Sequence, residues 1–164
     1  MIHAEFYNRY IHQINTEQSI LELLTTTLEE FNQVIKQKGS NWWSTPYDAG
    51  KWTPKELVMH LIDVERVYQF RAHCIAAGET SEMAGFDENQ YVKNSHANEL
   101  EEHQLLGEFW DLRKASVWMF KRFSNPMLNT SGKADGKPVD VEALGYIMAV
   151  HLHHHTQILK TRYL

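Results

Sequence analysis

The stretch Leu144-Gly145-Tyr146-Ile147-Met148-Ala149-Val150-His151-Leu152-His153-His154-His155-Thr156-Gln157-Ile158 decides both how this chain folds and where its chemistry sits. At about 100° per residue, a helix gathers Leu144, Ile147, Met148, His151, His155 and Ile158 into one stripe about 100° wide. His151 and His155 therefore face the interior, one turn apart. His153 falls on the opposite side, in water, and His154 at the margin. The histidine run is not an expression tag, because it lies inside an amphipathic pattern and native-looking sequence follows it. The helix is predicted from about Val139 to Tyr163, with Asp140 and Glu142 in the first turn, where the helix dipole favours acids.

Outward from this helix the apolar spacing stays near 3.6. Thr53-Pro54-Lys55-Glu56 offers a capping hydroxyl, a first-turn proline and a glutamate three residues after the threonine. The stripe that follows, Leu57, Leu61, Val64, Tyr68 and Ile75, ends at Gly78. Asn98 with Glu101 opens another helix through Leu105, Phe109, Leu112, Val117 and Phe120, ending near Asn125-Pro126. Leu21, Leu24, Leu28, Phe31 and Ile35 mark a helix capped by Asn15 and Gln18 and stopped at Gly39, after a shorter helix from Glu5 to Ile14. No strand-like alternation stands out. The expectation is an all-α protein, a four-helix bundle with long connections of about 14 to 20 residues, forming one domain over residues 1–164. The connection from Gly78 to Tyr91 is expected to shape the mouth of a site.

A chain of 164 residues buries enough surface to fold without a metal or disulfide, so a metal site in it is functional rather than structural. Its formal net charge of −5 argues against nucleic acid as the main partner. One cysteine fits a reducing compartment, and neither a signal peptide nor a membrane span is evident, so a cytoplasmic location is expected. No phosphate-binding glycine loop and no Gly-x-Ser-x-Gly occurs.

Ten histidines make metal chemistry the first candidate. His60 lies inside the stripe of its own helix, near Leu57, Val64 and Val67, and can meet His151 and His155 across the interior. Three converging imidazoles suit a divalent transition metal, whether zinc, nickel, iron, manganese or copper, with a position left for water or substrate. The competing reading is a set of core histidines bonded to carbonyls. Asp63, one turn after His60, either orients a ligand ring through its N–H or pairs with Arg66 as an exposed acid. Arg71 either binds an anionic substrate group or pairs with a carboxylate across the bundle. Glu65, off the stripe, reads as a solvated or salt-bridged charge. Trp42, Trp43, Trp52 and Trp110 line a pocket or fill the core, and Cys74 reads as a small buried hydrophobe.

Several motifs fall in a familiar order: Gly50-Lys51-Trp52-Thr53, then His60-Leu61-Ile62-Asp63-Val64-Glu65-Arg66 with Arg71, and Gly85-Phe86-Asp87-Glu88-Asn89-Gln90-Tyr91-Val92. Gly145-Tyr146-Ile147 leading to His151 and His155, and the ending Lys160-Thr161-Arg162-Tyr163-Leu164, complete the set. The chain resembles the DinB-like (YfiT-like) family over most of its length, most weakly before residue 45. The resemblance implies a four-helix bundle with a divalent metal at one end, held by one histidine of the second helix and two of the fourth. Those positions fall on His60, His151 and His155, the three selected by helical geometry. It further implies a small-molecule substrate, with chemistry that is either hydrolysis or transfer of a low-molecular-weight thiol such as bacillithiol or mycothiol, and a possible homodimer. The alternative is a non-catalytic, stress-associated metal-binding module. Two positions depart from the family pattern: Val150 replaces a glycine, and Ala76-Ala77 stand where a basic residue is common.

Overall fold

In a computed structural model of the protein, Met1, residues 17–36 and residues 38–163 are described. The short helix expected over residues 5–14 lies outside them. The first described helix, α1 (Ile20–Ile35), starts one capping box later than expected. Ser19 accepts from the Glu22 amide at 3.3 Å, and the Glu22 carboxylate takes the Ser19 amide at 2.8 Å. A hydroxyl with a glutamate three residues on satisfies two orphan donors at once; Asn15, the expected partner of Gln18, lies outside the described residues.

The short α2 (Ser40–Trp43) leads to α3 (Pro54–Ala76), which opens on the predicted Thr53–Glu56 box. After α4 (Glu88–Ser95), capped by Asp87, comes α5 (Glu102–Lys121). Its box is Glu101 with Gln104, not Asn98 with Glu101. Asn98 serves elsewhere, accepting the Thr53 hydroxyl at 2.7 Å and tying the start of α3 to the segment before α5. A turn of helix, α6 (Asn125–Leu128), precedes β1 (Ser131–Ala134) and β2 (Lys137–Asp140), and α7 (Val141–Arg162) ends the described chain.

The β1–β2 pair corrects the expectation of a strand-free chain. It is an antiparallel hairpin running from Ser131 opposite Asp140 to Ala134 opposite Lys137. Its two-residue turn, Asp135-Gly136, has φ of 52° and 73°, the left-handed pair that matches the natural twist of a hairpin.

The four long helices form a ring in which α1 packs on α7 and α5, and α3 packs on the same two. Helices α1 and α7 run parallel, as the pairs Tyr146–Gln18 and His153–Glu30 show. Helices α3 and α5 also run parallel, with Arg66 on Glu108 and Gln69 on Ser116. Parallel neighbours cannot be joined by a tight turn, so the chain after α3 must return along a helix about 34 Å long before α5 begins. Helix α4 lies on that return path, against α3. This is why the connections are long. Gly145 allows α7 its close approach, since a Cβ there would meet Ile20 at 2.7 Å and Phe120 at 2.8 Å.

The core has two apolar halves. One joins Ile20, Leu24, Ile75, Phe120 and Leu144, the other Phe31, Leu57, Ile62, Phe109 and Leu152. Between them sits a buried polar knot. Arg113, 1% exposed, donates to Glu65 at 2.9 Å, to the Leu24 carbonyl at 3.4 Å and to the Met148 carbonyl at 3.3 Å, while Ser116 also donates to Glu65. One side chain thus reaches all four long helices.

Candidate metal centre

The groove between α3 and α7 opens into a cavity of about 460 Å³. Helix α3 aims His60 into it from the face shared with Leu57 and Val64, and α7 aims His151 and His155 from successive turns. His60 Nε2 lies 3.0 Å from His151 Nε2, and His155 Nε2 lies 3.2 Å from the same atom. One ring nitrogen from each of the three lies within 4.8 Å of the others. Trp52 covers His60 with ring centroids 4.8 Å apart.

Burial keeps these rings neutral. It lowers the His60 pKa from the ordinary 6.5 to about 4. Burial, then the neighbouring rings, pushes His151 and His155 well below the ordinary value. Neutral imidazoles with lone pairs turned inward are what a divalent cation requires. Nitrogens sharing a cation at about 2.0–2.1 Å cannot stand more than about 4.2 Å apart, and the two separations measured through His151 are well inside that bound. By their chemistry, and by the two separations through His151, these donors suit a transition metal. The cavity meets it on one side, leaving space for water or a reactant. His60 Nδ1 and His155 Nδ1 are buried and, among the described residues, have no hydrogen-bond partner.

Other expected residues scatter. Asp63 neither lines the cavity nor bonds, among the described residues, to any of the three rings. Partial burial raises its pKa, and Arg66 and Glu108 are the charges beside it, so the environment is that of an acid near Arg66. His153 is not free in water but meets the Glu30 carboxylate at 2.8 Å against α1. His154 lines the cavity. Glu65 is sealed in the Arg113 knot, a partner that periodicity missed because Glu65 faces α5 rather than the histidine stripe. Trp52 lines the cavity, Trp43 is core, Trp42 packs against Tyr163, and Trp110 is 42% exposed and donates to Asn32. Cys74 is partly buried and off the cavity.

The cavity roof comes from two segments. Gly85, Phe86 and Glu88 belong to the connection expected to shape the mouth. Ala134, Asp135, Lys137, Pro138 and Val139 belong to the unforeseen hairpin, whose Asp-Gly pair was the available signal.

No helix among the described residues is long and apolar enough to cross a membrane. No curated protein matches the chain in sequence. Among solved structures it is similar to YfiT from Bacillus subtilis, described as a probable metal-dependent hydrolase with an unusual four-helix bundle topology. The likeness covers 91% of this chain and 89% of that one, with a TM-score of 0.75 and 20% identity. The DinB superfamily matches residues 23–159. With that match spanning most of its length, on a bundle of the same topology, the chain belongs to the DinB superfamily.

Proposed function

We propose that this protein is a metal-dependent hydrolase acting on a small molecule, with His60, His151 and His155 holding a divalent transition metal. The observation that carries this reading is the convergence of three neutral imidazoles, His60 buried and His151 and His155 half-buried, beside a cavity of about 460 Å³, a size suited to small ligands. A cation held there supplies Lewis acidity, bringing a bound water toward a pKa of about 7 and polarising a carbonyl.

The chain's own residues do the rest. Burial keeps the three rings neutral at neutral pH, so each retains one unprotonated ring nitrogen that can ligate a cation. Trp52 fixes the His60 ring plane from the side. Val64, Leu144, Ile147 and Val150 give the cavity an apolar wall that excludes bulk water and strengthens electrostatic effects inside it. Among the described residues no carboxylate accepts from His60 Nδ1 or His155 Nδ1, so these rings would be less basic donors and would leave a cation they held more electrophilic.

Elemental analysis of the purified protein beside His60→Ala is the direct test. The expected result is one transition-metal ion per chain, absent from the variant, and ester or amide hydrolysis that follows metal content. A protein that holds no metal and takes up none on titration overturns the reading. Turnover seen only when a low-molecular-weight thiol is supplied, with its sulfur in the product, reassigns the chemistry to thiol transfer on the same three ligands. A stoichiometric metal without turnover favours the binding module.

A further inference from the structure

Arg71 stands three turns beyond His60 on α3, on nearly the same face and about 16 Å farther along the axis. It is 6% exposed and lines the cavity that holds the histidines. One Nη donates to the Ala84 carbonyl at 2.7 Å, and the guanidinium carbon lies 5.6 Å from the Tyr68 ring centre. Among the described residues no carboxylate pairs with it, so the pairing across the bundle considered from sequence is not made. The acids on the cavity wall, Glu88 and Asp135, are exposed, and Asp135 meets Lys137 at 3.9 Å instead. Burying a guanidinium without a counter-charge is expensive, and most of this one's five N–H groups remain to be used. Val64, Leu144 and Ile147 make the wall between Arg71 and the histidines apolar.

We infer that Arg71 is an anion subsite, taking the carboxylate of an elongated small molecule whose other end reaches His60, His151 and His155. The planar fork of a guanidinium matches a carboxylate with two parallel hydrogen bonds, and the apolar wall accommodates a hydrocarbon span. The Ala84 bond pins the connection over the cavity while leaving the rest of the fork for ligand. This inference rests on the proposed metal centre only for what the far end of the ligand meets.

The experiment uses cobalt(II)-loaded protein and ω-mercaptoalkanoates of graded length, each set against the ω-mercaptoalkanol of equal length. The cobalt spectrum reports the thiol end, and calorimetry reports affinity. At the lengths that span the cavity, the acid binds about ten-fold or more tightly than the alcohol. Arg71→Gln abolishes that preference while leaving the alcohol's affinity and the cobalt spectrum unchanged, and Arg71→Lys, with the charge but not the fork, keeps part of it. Equal binding of acid and alcohol, or a preference that survives in Arg71→Gln, overturns the inference, as does a preference lost in Lys137→Gln and kept in Arg71→Gln. If Arg71→Gln does not fold, Arg71→Lys decides: an undiminished preference overturns the role of the fork. Failure of cobalt to bind strikes the metal centre instead. In that event plain alkanoates and alkanols, titrated into the metal-free protein, still test Arg71, and no preference for the acid overturns it.

Discussion

Among the described residues two arginines, Arg71 and Arg113, lie inside this bundle, and their surroundings differ. Arg113 is closed in on every side: Glu65 faces it at 2.9 Å, two carbonyls share its donors, and Gln69 and Ser116 complete the knot, with only Nε left over. Arg71 is nearly as buried, yet it faces a cavity and has one backbone partner. The histidine cluster belongs with Arg71, since its polar atoms point at one another and at open space. A compensated interior charge organises a fold. The one beside the cavity is where the anion subsite is inferred.

The largest expected effect breaks the first region. Glu65→Ala leaves the Arg113 charge buried alone and lowers stability by about 3–5 kcal/mol in urea unfolding, equally with and without metal. A loss that shrinks when metal is added would place Glu65 in the second region.

Acid acts on the histidine region. Burial holds the His60 pKa at about 4 when folded, against 6.5 ordinarily, so the unfolded chain binds protons first. The metal-free protein should hold level stability above pH 6.5 and lose about 3 kcal/mol from this ring alone as pH falls toward 4. Bound metal should steepen the fall, because protons compete with it for the rings. Denaturant titrations flat across this window would contradict the buried, neutral assignment.

Metal itself sharpens the contrast. At a hundred-fold excess over its Kd it should stabilise the wild type by about 2.7 kcal/mol, and His151→Leu should abolish that increment. In the metal-free state the same substitution should change stability by no more than about 1–3 kcal/mol. A melting shift on adding metal that persists in His151→Leu would mean the ion binds elsewhere. The smallest effect concerns the helix common to both regions. Thr53→Ala removes the α3 cap and the hydroxyl given to Asn98, costing about 1 kcal/mol, read as a small drop in melting temperature at unchanged metal content.

How much of this could be read in the sequence depended on how many faces each helix buries. His60, His151 and His155 lie on the one stripe that periodicity finds readily, and the Thr53–Glu56 box marks the start of α3 without ambiguity. Helix α3 buries a second face against α5, however, and there Glu65 reads as either a solvated or a salt-bridged charge until Arg113, placed opposite it, decides for the buried pair. Asp63 is open between two readings in the sequence because spacing one turn from a ligand does not fix direction, and its charged neighbours are Arg66 and Glu108. The hairpin escaped because four-residue strands are too short for alternation to register, leaving Asp135-Gly136 as the sole cue.

The cavity roof is stitched by main-chain bonds: the Met83 amide donates to the Lys133 carbonyl at 3.0 Å, and the Asp135 amide donates to the Met83 carbonyl at 3.0 Å. Such stitches depend on backbone shape rather than side-chain identity, so residues over the cavity are free to vary while their ladder persists. On the proposed reading, the helices would hold the metal ligands and Arg71, while the hairpin and the 81–88 segment would shape the rest of the cavity. Grafting a different 81–88 segment and hairpin tip is therefore a route to new substrate preferences that leaves the imidazole cluster undisturbed.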